Sequence, residues 1–188
     1  IPAGAWAHQG TYISALNDIA GAVGGYLQPH ATDEKLLVLP TWPLPWWRWD
    51  EVTPNITLPN GVAELEETEW TEQPDYNRVF VHGMDGGVVG QVSREGSAGD
   101  KAMPTVVHAL ITATAAARQR GQHELACSGT AIRQRLVMPV LPETGIIVPG
   151  KYVKYNDGST DRLGISRAVS VDWSWPALTQ TVELEGHE

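Results

Sequence analysis

Apolar positions recur at helical spacing early in the chain, where Tyr12, Leu16, Ile19, Ala20 and Val23 predict a helix over residues 11–24. Thr11 serves as its N-cap, and Gly24-Gly25 stop it through the left-handed backbone that glycine tolerates. Residues 26–28 and 35–39 flank the turn-rich Pro29-His30-Ala31-Thr32-Asp33 and predict a hairpin. Prolines at 40, 43 and 45 then exclude regular structure, because each removes a backbone donor and restricts the residue before it. Residues 62–70 partly alternate apolar and acidic side chains, and residues 78–82 and 88–94 flank the turn Gly83-Met84-Asp85-Gly86-Gly87 as a second hairpin. After the Gly-rich segment 95–100 the period changes. Val106, Val107, Leu110, Ile111 and Thr114 share one helical face, Pro104 suits an early turn, Arg118 and Arg120 suit the C-terminal end, and Gly121 stops the run, which predicts a second helix. Strand patterns follow at 123–128, 132–140, 151–156, 163–173 and 180–184, with Asn156-Asp157-Gly158 as a turn. Two helices among about ten strands, without internal repeats, indicate an α+β, strand-rich fold of mostly antiparallel or barrel-like sheets.

Composition narrows the function classes. The 188 residues correspond to one domain or two small ones, here a small α+β lobe at 1–75 and a β-rich part with one helix at 76–188, separate or packed as one unit. Thirteen Lys+Arg against twenty-two Asp+Glu give a net charge of -9, which argues against phosphate tracking and sequence-specific nucleic-acid binding. The single cysteine, Cys127, excludes an internal disulfide and Cys-built metal sites, and as a thiol in a strand it reads as buried and inert. No apolar run reaches membrane-spanning length, and the start Ile1-Pro2-Ala3-Gly4 has no signal pattern. The first residue is not Met, as expected of a processed product or a piece of a longer protein.

Catalytic patterns are missing. Gly96-Ser97-Ala98-Gly99 is spaced wrongly for a nucleophile elbow, and neither a Walker pattern nor G-x-G-x-x-G occurs. Histidines at 8, 30, 82, 108, 123 and 187 form no ligand pair at i+4, and His108 falls within the second predicted helix. Asp157, Ser159 and Asp161 lack the frame of a calcium loop. The acidic run Glu64, Glu66, Glu67, Glu69, Glu72, Asp75 allows one catalytic reading. Glu64 and Glu66 would share a strand face roughly 6.6 Å apart, within the carboxylate spacing of a glycosidase. A solvated sheet face is the favoured alternative. We therefore expect no catalytic residue, cofactor or metal.

Eight Trp against one Phe is a skewed aromatic choice, and Trp42, Trp46, Trp47 and Trp49 crowd one proline-broken stretch. Such a stretch can bury its indoles as a lid over a sheet, form a subunit interface, or present a glycan platform, and the lid is favoured because large aromatics are mostly buried.

The order of several segments carries a resemblance. Ser14-Ala15-Leu16-Asn17-Asp18-Ile19-Ala20 runs into Gly24-Gly25-Tyr26, Leu36-Leu37-Val38-Leu39-Pro40 and Pro45-Trp46-Trp47-Arg48-Trp49. Later come residues 74–83 around Tyr76-Asn77-Arg78-Val79, Leu141-Pro142 with Val148-Pro149-Gly150, and the ending Gln180-Thr181-Val182-Glu183-Leu184-Glu185. As an ordered set, spanning roughly residues 12–188, they resemble the tail-tip or baseplate-hub proteins of tailed bacteriophages and prophages. The resemblance implies a hub-like fold and a structural virion protein with an N-terminal part missing. It also implies residence in the phage tail after assembly in the bacterial cytoplasm, other tail proteins as partners, and a homo-oligomeric ring, a trimer, around the tail axis. Contact residues expected from size and local density are Trp42, Trp46, Trp47, Arg48, Trp49, Tyr76, Trp173 and Trp175. Two alternatives stay open: a carbohydrate or cell-surface binding module using the Trp platform, and a peptidoglycan-cleaving tip using Glu64 and Glu66.

Overall fold

The computed structural model describes residues 4, 6–84, 88–156 and 158–188, and of Leu65 and Glu66 only the backbone. In chain order the elements are helix α1 (Tyr12–Ala22), β1 (Gly25–Pro29), β2 (Leu36–Pro40), a 3₁₀ turn (Trp46–Glu51), β3 (Ile56–Thr57), β4 (Leu65–Glu72), β5 (Arg78–His82), β6 (Val89–Ser93), β7 (Val106–Val107), α2 (Thr114–Ala126), β8 (Thr130–Pro139), β9 (Tyr152–Asn156), β10 (Asp161–Ser174) and β11 (Ala177–His187). This is the strand-rich α+β class read from the sequence. The chain divides into two compact units, residues 1–45 with 75–128 and residues 46–74 with 129–188. It passes between them next to Pro45, Pro74 and Gly129.

In the first unit α1 starts where its cap predicts: the Ser14 amide donates to Thr11 Oγ1 at 3.3 Å. It stops at Gly24, which has φ +74° and donates to the Gly21 carbonyl. The β1–β2 hairpin follows, pairing Tyr26 with Leu39 and Gln28 with Leu37. β5 pairs antiparallel with β6 and parallel with β7, and α2 packs on β5 and β6. The turn expected at residues 83–87 lies outside the described residues from Asp85 to Gly87, although the Gly83 amide closes on the Val88 carbonyl at 2.9 Å.

The second predicted helix is displaced. Val106 and Val107 form a strand against Val81 and His82 instead of an opening turn, because an open edge of β5 takes their backbone groups and two β-branched residues fit it. His108 thus sits in a connection, not a helix, and its amide bonds the His82 carbonyl at 3.0 Å. The helix begins only at Thr114, without a side-chain cap, and continues to Ala126. Gly121 lies inside it. A Cβ there would stand 2.4 Å from Val92 Cγ2 and 3.2 Å from Val79 Cγ1, so this glycine lets the helix backbone approach the sheet. The strand expected at 123–128 is accordingly the end of α2, with Cys127 as its C-cap.

The second unit is a six-stranded sheet in the order β3-β9-β10-β11-β8-β4, antiparallel except for the short β3–β9 pair. Its core gathers Leu58, Leu136, Met138, Ile147, Val153, Tyr155, Val182 and Leu184. β8 alternates as a half-buried strand must, with Ile132, Leu136 and Met138 inward and Arg133 and Arg135 outward. Two buried polar side chains pin the loop 141–150 to the sheet. Gln180 accepts from the Ile147 amide at 3.0 Å and donates to the Gly145 carbonyl, while Ser166, at a bulge in β10, donates to the Val148 carbonyl at 2.8 Å. Asp157, in the turn expected after β9, lies outside the described residues.

Candidate assembly interface

The residues expected to make contacts fall into two groups. The Trp-rich stretch is turned inward. Trp42 is 5% exposed, and its indole N–H donates to Cys127 Sγ at 3.3 Å. After Pro45 the chain does form regular structure, the 3₁₀ turn, against the expectation of none, because the proline restriction ends there. Trp46 lies flat on His187 with ring centroids 3.7 Å apart and planes 7° apart, and meets Trp47 edge-on at 5.4 Å. Trp49 is edge-on to Tyr152 at 5.8 Å. All three indoles are half-buried, so they act as a lid on their own sheet. Arg48 is held by a bidentate pair with Glu51, 2.9 and 2.7 Å, which keeps that carboxyl below its usual range. Tyr76 is half-buried, and its carbonyl accepts from Arg94 at 2.7 Å and from the Ser128 hydroxyl at 3.2 Å.

Trp173 and Trp175 form the second group. β9 covers β10 only as far as the Ile165–Tyr152 pair, and β8 covers β11 only from Thr179, opposite Pro139. Beyond those points β10 and β11 pair with each other through Trp173–Leu178 and Ser174–Ala177, and the Leu178 carbonyl still accepts from the Val140 amide at 3.1 Å. Trp173 is 76% exposed and Trp175, at the tip, 85%. Both indoles are thus exposed apolar surface. The first unit also exposes apolar side chains on α1. Tyr12 is 94% exposed and Leu16 and Ile19 are exposed too, whereas Ala20 and Ala22 are buried.

Part of the acidic run lies on a sheet face opposite arginines. Register sets Glu67 opposite Arg135 and Glu69 opposite Arg133, with Glu183 and Glu185 across from the same arginines on the other side. Arg135 reaches Glu67 at 3.3 Å, and Arg167 holds Glu185. Glu64 is exposed just before β4, its amide bonding the Val137 carbonyl, and the Glu66 side chain lies outside the described residues. Asp75 is bound by Arg94 and lies 3.6 Å from Lys101, and the Arg94 hydrogen bond, ahead of the charge of both, holds its carboxyl low. A cleft of about 360 Å3 opens in the second unit between Trp46, Trp49, Asp50, Tyr155, Asp161 and His187. Its Asp161 is already engaged by Lys154 and Asn156 at 2.7 and 2.8 Å, which lower its pKa. Among the described residues no three His, Cys, Asp or Glu gather as metal ligands, and no helix is long and apolar enough to cross a membrane.

No protein-family model and no curated protein matches the sequence. Solved structures do match. A tail protein from Neisseria meningitidis MC58 superposes over 99% of this chain and 56% of its own length, with TM-score 0.56 and 15% identity. A 43 kDa tail protein of prophage MuSo2 from Shewanella oneidensis superposes over 86% of this chain and 50% of its own, with TM-score 0.53 and 11% identity. The chain thus spans about half the length of the tail proteins it matches. At such identities the likeness is one of backbone, and it meets the expectation raised by the ordered segments: this chain has the fold of phage tail proteins.

Proposed function

We propose that the chain is a structural component of a bacteriophage or prophage tail, at the tail tip or baseplate hub, where copies assemble around the tail axis as a trimeric ring with other tail proteins. The observation that carries this reading is the superposition of 99% of the chain on a tail protein. Exposed apolar surface supports it, because Trp173, Trp175 and the stripe of Tyr12, Leu16 and Ile19 need partners to leave water. The net charge of -9 suits a channel wall to which DNA phosphates do not adhere. This reading gives the chain no catalytic role, and the charged face built by Glu67, Arg135 and Glu183 serves as structure. The glycan alternative needs an exposed Trp platform, whereas Trp46, Trp47 and Trp49 are half-buried and Trp46 is stacked on His187.

The test is genetic. Deleting the coding segment from its phage or prophage should leave particles with defective tails under the electron microscope, and complementation should restore them. Normal, infective tails without the chain would refute the reading.

A further inference from the structure

Three side chains of the first unit stand in a relation that the tail role does not use. His8 lies just before α1, and its ring touches two side chains of that helix. Its Nε2 is 2.7 Å from Ser14 Oγ and its Nδ1 is 2.9 Å from Asp18 Oδ2. Ser14 and Asp18 are about one helical turn apart and share a face of α1, which is why a single imidazole spans both. Gly10 makes the approach possible. Its φ is +149°, and a Cβ there would stand 2.8 Å from Ser14 Oγ and 2.9 Å from His8 Nε2. The order His8, Ser14, Asp18 matches no motif of the sequence, so only the fold brings the three together.

The proton positions follow from the chemistry of the groups. An ionised carboxylate only accepts, so Asp18 fixes the proton of the neutral ring on Nδ1 and leaves Nε2 as the acceptor that faces Ser14. The Ser14 hydroxyl has two acceptors at 2.7 Å, that nitrogen and the Thr11 carbonyl. With the ring neutral its proton goes to Nε2, and the Thr11 carbonyl keeps the Ala15 amide at 3.1 Å. With the ring protonated, Nε2 donates to Ser14 Oγ and the hydroxyl turns to Thr11. The cluster therefore accommodates both states of the ring, as a group that takes and returns a proton requires. The His8 side chain is 18% exposed, against 52% for Asp18, and Ser14 is half-buried. Ser14 also belongs to the first turn of α1, where the amides of Tyr12 and Ile13 have no acceptor within the helix and the positive end of its dipole favours negative charge.

We propose that Ser14 is a nucleophile, with His8 as its general base and Asp18 as the positioning residue of the ring, and that the site cleaves carboxylic esters of short acyl groups. Ser14 Oγ attacks the carbonyl carbon while its proton passes to His8 Nε2. The C–O bond breaks, and the leaving alcohol takes that proton. Water then attacks the acyl-serine and gives its proton to Nε2, which returns it to Ser14 Oγ as the carboxylic acid leaves. The first-turn amides supply donors for the negative charge that develops on the carbonyl oxygen. Short acyl groups suit a serine on a helix surface, where Tyr12 and Ile13 are the adjacent exposed side chains. The activity goes beyond the tail role and does not depend on it.

Two probes of the intact chain test it. One is a fluorophosphonate, whose fluoride leaves as Ser14 Oγ bonds to phosphorus, read by peptide mass spectrometry. The other is hydrolysis of p-nitrophenyl acetate. The wild type should carry the label on Ser14 and hydrolyse the ester. Ser14→Ala should fall to the rate of buffer alone, and His8→Gln should slow labelling and hydrolysis at least about 100-fold. Asp18→Asn should lower kcat at least about 10-fold with KM unchanged, a split that partial unfolding does not mimic. Labelling of the wild type involves no substitution and so does not depend on whether a variant folds. An unlabelled Ser14 in the wild type, hydrolysis no faster than that of Ser14→Ala, labelling undiminished by His8→Gln, or an unchanged kcat in Asp18→Asn would each overturn the proposal.

Discussion

Gly121 and His108 show how single positions were shaped by neighbours that no local pattern reveals. Gly121 has the look of a helix stop, yet it sits where α2 lies against Val92 and Val79. Gly121→Ala should therefore destabilise the chain by about 1 to 3 kcal/mol through overpacking, although alanine gains about 1 kcal/mol in helix propensity. Urea denaturation checks the sign, and a stabilised variant would contradict the close approach. His108 is partly buried, and its Nδ1 accepts from the Leu110 amide at 3.2 Å, which requires an unprotonated nitrogen. Burial first, then the charge of Arg120, pushes its pKa below the usual 6.5. A base with a depressed folded-state pKa binds its proton more readily when unfolded, so stability is complete above pH 6.5 and falls as pH drops through the folded-state pKa. Asp75 is also depressed, so its contribution is present above pH 3.8 and is lost in more acid solution. Stability measured against pH should fall in these two windows, and His108→Gln should flatten the upper one.

At the scale of elements, legibility followed how local the determinants were. α1 was readable because Thr11 and Gly24 cap it from within its own sequence. β8 was readable from its alternation. α2 was not, because β5 captures Val106 and Val107 by parallel pairing across about twenty-five residues of chain, and Ala113 provides no cap to mark the true start. The apolar positions on α1 predicted the helix itself, but periodicity shows that one face is apolar without saying what covers it, and Tyr12, Leu16 and Ile19 are exposed while Ala20 is buried. The candidate contacts divided for a similar reason. Aromatic size placed the Trp46–Trp49 stretch and the Trp173–Trp175 tip in one set, and the stack of Trp46 on His187 against the exposure of Trp173 and Trp175 separates them. Truncating the stack by His187→Ala should cost about 0.5 to 1.5 kcal/mol, whereas Trp175→Ala should change stability by less than about 0.5 kcal/mol. Gln180→Leu strands the Ile147 amide and should cost about 1 to 3 kcal/mol. Equilibrium unfolding of the three variants ranks them, and a large loss at Trp175 would mean that its ring is packed rather than exposed.

For the molecule as a whole, the proposed assembly draws on the solvated indoles of Trp173 and Trp175 and on the exposed Tyr12, Leu16 and Ile19 of α1. The fold of phage tail proteins gives that assembly a setting. The most direct measurement is quantitative mass spectrometry of purified particles from the phage or prophage that encodes the chain. The account predicts that the chain is present in a small, fixed number of copies per particle, a multiple of three, and that it fractionates with tails when heads and tails are separated. A chain absent from the particles, or found only in the lysate, would contradict it.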